Sequence, residues 1–514
     1  MPKDPSLSTE SSVYHKTREP DVLAPGLQRG ALGSYTSPLH LEVGSSYRTC
    51  QAAAVAQGSP RFPGTANNSS SRDKLDGLFH DSPYMTPPYH VNLLPPEILA
   101  EIFVHCISEK EWVYPYQKST PPMSLTHVCT HWRAIATSLS ILWSSLALRR
   151  VGHRFDARNW LPTWLERSQN RPLNFHIVEF EPVALLLPHL HRWNGLSVVV
   201  DDRNVQHFLT IPLARASSLS SLTICADKCN QQALDELLAS AHVIPNLRHF
   251  SWHSEYMPST LVDLPFWTLT HLNLDCPIRL EQLLHFLSNS KQVIDLAVED
   301  IRPPLTSAVV NVTLPHLISL DVRCNKFMSQ VLDCLTLPTL RRLKLAEFTT
   351  KGVTYRKHEI LSRLIARSSC RLETFDLNDY RITEEDLIGY LTDPCLRSVQ
   401  TLNAIFVTDR ALALLIYPTL NALGESILPC LTSLCLQGCY AADGTFAEML
   451  ASRWSPARKP NDGILPASLT FVNVAFRVDM SAMKSGVPLH GLDFEAAKTC
   501  MEKGLNIRWS EGFS

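Results

Sequence analysis

Cysteine and histidine spacing raises the first chemical question, because Cys225-x3-Cys229 is followed by His249-x3-His253. Two thiolates and two imidazoles can close a tetrahedral zinc shell. Nineteen residues separate Cys229 from His249, beyond ordinary finger spacing. Both histidines also flank a Leu247-x-x-Phe250-x-Trp252 pattern that accounts for their positions by itself. A second pair, Cys435-x3-Cys439, trails a similar apolar pattern, where cysteine serves as a small buried hydrophobe. Cys129 and His131 are two apart on a predicted helix, so their side chains point away from each other. The sequence carries no nucleophile elbow, zinc-protease helix or phosphate-binding glycine loop, and its 19 glycines leave little material for one. The expectation is a non-enzymatic chain with no metal and no cofactor.

Composition narrows the class. The chain has 514 residues, is 45% hydrophobic and 19% charged, and carries a formal charge of −2. That is ample for a large core and too neutral for generic attraction to nucleic acid. No apolar run reaches the length of a membrane helix, so no membrane partner is expected. The 14 cysteines sit in apolar contexts, and the Met-Pro-Lys-Asp start has no apolar signal region, which points to a reduced cytoplasmic or nuclear location. Residues 1–88 differ in kind: positions 1–90 hold 13 Ser and 10 Pro without apolar periodicity. That tail is expected to be disordered, and pairs such as Ser37-Pro38 and Ser82-Pro83 are ordinary in such a composition.

The elements that follow fall into two patterns. From Leu94 to Trp143 the sequence reads as two amphipathic helices joined by a loop over residues 109–122. Pro95 or Pro96 suits a first helical turn, and Ile98, Ile102 and Cys106 recur at four-residue steps beside Leu99 and Phe103. Ser124 is the expected N-cap of a second helix carrying Leu125, Val128, Cys129 and Trp132. From residue 190 onward a Leu-x-x-Leu-x-Leu pattern returns, with first positions at Trp193, Leu219, Leu247, Leu269, Val293, Leu317, Leu340, Leu372, Leu431 and Leu469. The early steps of 26, 28, 22, 24, 24, 23 and 32 residues fall within or close to the range of leucine-rich repeats. A weaker unit is expected near Leu396/Val399/Leu402. Segments Leu142 to Leu148 and Leu173 to Ile177 alternate similarly, so the array is expected to begin directly after the helices. Helices are predicted between strands, for example over residues 232–241, 280–289, 359–367 and 384–391. The expected fold is α/β: residues 1–88 a disordered tail, 89–148 a helical domain, 149–486 a curved repeat solenoid and 487–514 a C-terminal cap or tail. Outward positions of the repeat strands, among them Arg248, His271, Asp275, Arg323, Lys344 and Asn378, are the candidates for holding a partner protein.

The helical stretch resembles an F-box, on Leu94-Pro95-x-Glu97-Ile98, Val128-Cys129-x-x-Trp132-Arg133-x-Ile135-Ala136 and the trailing Leu142-Trp143, with the longer inter-helix loop of the F-box-like variant. Downstream segments such as Trp164-Leu165-Glu166-Arg167-Ser168 are similar to F-box proteins of mushroom-forming fungi that carry C-terminal leucine-rich repeats. The resemblance implies a non-catalytic substrate receptor of an SCF-type cullin–RING ubiquitin ligase. It assigns Leu94, Pro95, Ile98, Ile102, Phe103, Val128, Cys129 and Trp132 to docking on the adaptor subunit, and through it the cullin. Leu99, Leu125 and Trp143 would form the core of the module, and the repeats would bind an unknown target protein. The alternative is a leucine-rich-repeat interaction scaffold with no delivery role.

Overall fold

The computed structural model describes residues 91, 94–107, 112–115, 117–149, 156–259, 268–305, 310–324, 328–347, 357–379, 382–421, 424–455, 467–478 and 490–513. The tail expected over residues 1–88 lies outside them. Among the described residues the protein is mixed α/β, built on a parallel sheet of fourteen strands hydrogen-bonded in the order of the sequence, with a separate two-stranded parallel ladder. The strands are β1 (Ser145–Leu148), β2 (Leu173–Ile177), β3 (Trp193–Val200), β4 (Ser221–Ala226), β5 (His249–Ser254), β6 (His271–Arg279) and β7 (Asp295–Arg302). They continue as β8 (Ser319–Cys324), β9 (Arg342–Glu347), β10 (Thr374–Leu377), β11 (Thr401–Ile405), β12 (Ser433–Cys439), β13 (Phe471–Val478) and β14 (Asn506–Phe513).

Register explains why the repeat pattern folds this way. Every strand contributes one apolar residue to a ladder that runs Leu146, Phe175, Leu196, Leu222 and onward to Leu434, Val472 and Ile507. Two positions later a second ladder runs through Ile224, Trp252, Leu274, Val298, Val322, Leu345 and Leu377. The residues named from both ladders are buried. Residues between the ladders point to the other face, as strand alternation requires. A slip of one residue would turn both ladders out of the core, so the pairing is strongly specified.

All ten strands predicted from the repeat pattern are present, as are the weaker unit (β11) and the two upstream strands β1 and β2. The predicted helices sit between strands with ends shifted by up to two residues: Gln231–His242, Leu280–Asn289, Lys357–Ser368 and Glu384–Thr392. Thr383 caps the last of these by accepting the Asp386 N–H. The C-terminal segment does more than cap: helix Gly491–Glu502 leads into β14, which pairs with β13 in the same register. The parallel sheet thus extends past residue 486.

Arginines tie successive units together in a way the repeat pattern did not announce. Groups at and just beyond helix C-termini need partners from outside the helix, and three guanidinium groups from later segments donate to them. Arg192 donates to the Arg171 carbonyl at 3.1 Å and the Ser168 hydroxyl at 2.7 Å, at the end of helix Ala157–Arg167. Arg367 donates to the carbonyls of Leu332 and Leu335 at 2.6 to 3.0 Å. Arg453, only 1% exposed, donates to the carbonyls of Leu415, Leu428 and Ile427.

Candidate binding surfaces

The helical segment comprises α1 (Pro96–His105), α2 (Met123–Thr126) and α3 (Thr130–Ser138). The single second helix expected from Ser124 is instead broken: Ser124 lies inside α2, and Cys129 caps α3 by accepting the Trp132 N–H at 3.4 Å. This cap gives Cys129 a local structural role and leaves Val128 on the intervening turn, 56% exposed. The predicted core residues Leu99, Leu125 and Trp143 are buried. The Trp143 indole donates to the Ala136 carbonyl at 2.9 Å, and Arg167 sits over its ring at 4.5 Å.

Phe103 requires a correction. It was assigned to docking, yet it has no exposed surface, and its ring packs 4.9 Å from Trp132 across the α1–α3 contact. Leu94 and Trp132 are half-buried against the same core. Three of the assigned apolar positions therefore work inward wholly or in part. Ile98 at 49% and Ile102 at 40% remain exposed, one turn apart on α1, beside exposed Pro95. The inter-helix loop is anchored to the sheet: the Val113 carbonyl accepts the Ala147 N–H at 2.9 Å, and Trp112 stacks on His176 of β2 at 5.5 Å. Burial pulls His176 down to about 4, so it is neutral at physiological pH, and its Nδ1 lies 3.0 Å from the Ser197 hydroxyl.

The outward face of the sheet carries a second surface. Its centre is an ionic network: Arg323 pairs with Glu299 and Asp321, Lys344 with Asp321 at 2.8 Å, and Asn403 donates to Asp376 at 3.2 Å. His253 meets Asp275 at 3.2 Å. Of the six sequence candidates, Asp275, Arg323 and Lys344 belong to this network. Arg248 is exposed just before β5, and His271 stacks on His249 at 4.2 Å at the first position of β6, away from it along the strands. Asn378 follows β10 with a buried side-chain oxygen that has no hydrogen-bond partner. Glu299 was missed; it follows Val298 directly, and its outward position was the one signal available.

Burial and the adjacent Asp275 carboxylate push Glu299 up to about 7, against the pull of Arg323. The two acids share a hydrogen bond, which needs one proton between them. An unfolded Glu releases its proton near 4.5 and the folded one near 7. The unfolded chain therefore binds fewer protons across that window, and stability falls as pH rises through it, by on the order of 1–3 kcal/mol. Urea unfolding between these pH values should show the decline. Glu299→Gln should flatten it, and an unchanged slope in that variant would rule out Glu299 as its source.

The Cys225/Cys229/His249/His253 set does not converge. The Cys229 thiol, pushed up to about 11 by burial and Asp202, points to the Val200 carbonyl at 3.8 Å, while His249 and His253 engage different neighbours. Among the described residues, Asp443, His490 and Asp493 bring three potential metal ligands together, but their oxygens are spent on helix starts. Asp493 accepts the N–H groups of Gly444 and Ala447 at the start of helix Thr445–Arg453, and Asp443 accepts those of Leu492 and Asp493 at the start of helix Gly491–Glu502. The two carboxylates are reciprocal caps. Among the described residues no helix is long and apolar enough to cross a membrane. No family model matches the chain, and no curated protein matches it.

Proposed function

We propose that the chain is the substrate-receptor subunit of an SCF-type cullin–RING ubiquitin ligase. The F-box-like segment 89–148 docks on the adaptor subunit, and the leucine-rich-repeat solenoid that follows holds a target protein. One observation carries the reading. Helix α1 bears two adjacent apolar rows, and the row of Leu99 and Phe103 is fully buried while the row of Ile98 and Ile102 stands in solvent. Single exposed apolar residues are ordinary. Here two share a helix face beside Pro95, on the motif whose resemblance implies adaptor binding, and apolar anchors of this kind dominate interface energies. The polar outward row of the sheet, with Asp275, Arg323 and Lys344 at its centre, supplies the target surface, since solenoids bind partners along such faces.

Co-expression with the adaptor and cullin tests both halves. The expected result is a stable ternary complex, together with one or more proteins whose lifetimes lengthen when the chain is removed. Complex formation with no lifetime altered would instead favour the interaction scaffold.

A further inference from the structure

Between helix Ala157–Arg167 and the turns of residues 185–192 lies a cleft of about 520 Å³, within the size range of small-molecule sites. Its lining is in part apolar, with Pro162, Leu165 and Leu185, and in part polar, with Gln169, Asn170, His189, His191 and Arg192. Arg192 is 9% exposed, and its hydrogen bonds go to neutral acceptors: the Arg171 carbonyl, the Ser168 hydroxyl and His189 Nδ1 at 3.4 Å. A guanidinium only donates, so His189 Nδ1 accepts and its remaining proton sits on Nε2 as a further donor. Burial and the charges of Arg192 and His191 hold His189 below its ordinary value, in keeping with a neutral ring. The lining thus combines a partly dehydrated positive charge and imidazole donors with apolar side chains. Glu166, which is exposed, is the acid lining the cleft.

We infer that this cleft binds a small organic oxyanion, with a carboxylate or phosphate head on Arg192 and His191 and an apolar body against Pro162 and Leu185. A buried cation gains most from an anion that reaches it without full hydration, and the apolar part of the lining selects for a carbon skeleton over a bare ion. The inference is independent of the adaptor and target surfaces.

Calorimetric titration of the full chain with phenyl phosphate, inorganic phosphate and benzyl alcohol tests it. Arg192 is left intact because it staples the preceding helix. His191→Glu and Leu185→Asp change exposed positions, and their melting temperatures verify the fold. Phenyl phosphate should bind saturably, about fivefold or more tighter than either partial probe, and each substitution should weaken it by about fivefold or more. The proposal is overturned by no saturation up to about 10 mM, where a fragment of this size should bind. Equal affinity for inorganic phosphate, or for benzyl alcohol, would overturn it as well. So would variants that bind like the wild type.

Discussion

Replacing Arg453 with Ala should lower stability by about 3 kcal/mol or more, because three buried carbonyls lose their donor at once and each orphaned acceptor costs about 1–3 kcal/mol. Arg453 is among the largest fully buried side chains. Burial lowers it to about 10, which leaves it charged at neutral pH. Its charge is solvated by the backbone carbonyls of Leu415, Ile427 and Leu428. Arg453→Met keeps most of the apolar bulk and should fare nearly as badly, while Arg453→Lys, with one nitrogen in place of a planar fork, should recover less than half of the loss. Each strand of the sheet pairs only with its neighbours in sequence, so damage should stay local and hydrogen exchange should show lost protection concentrated between residues 409 and 453. Near-normal urea midpoints for both Ala and Met variants would refute the staple.

The second large effect separates the two rows of α1. Phe103→Ala empties a fully buried site against Trp132 and should cost about 3–5 kcal/mol. Ile98→Ala, at a position 49% exposed, should cost under about 1 kcal/mol. Thermal denaturation of the two variants side by side checks the contrast. Equal losses would mean that Ile98 is core and would remove the exposed face on which adaptor docking depends.

How far the sequence could be read follows from which features repeat. The strands were legible because each repeats a period-2 alternation behind a fixed apolar residue, and stacking makes that alternation a continuous ladder. The last strand escaped because Ile507 and Trp509 lack the leading residue: position 504 is a glycine with φ of +107°, a conformation suited to that turn. Apolar spacing on α1 showed that Ile98, Leu99, Ile102 and Phe103 face similar directions. It could not show which of two neighbouring rows turns inward, since that depends on where α3 packs, and Phe103 was misassigned for this reason. Nothing in the sequence around Arg453 or Arg367 sets them apart from solvated surface charges. Their role emerges only when the preceding helix ends beside them. The proton shared by Glu299 and Asp275 depends on cross-strand neighbours 24 residues apart, for which the sequence offers only the outward positions.

Calorimetry with purified adaptor subunit, comparing wild type with the Ile98→Asp, Ile102→Asp double variant, tests the adaptor-receptor reading most directly. Two exposed anchors worth about 2 kcal/mol each would together weaken binding by about 1000-fold, with the melting temperature lowered only slightly because both residues stand half in solvent. Failure of the wild type to bind, or equal binding by the double variant, would contradict the assignment.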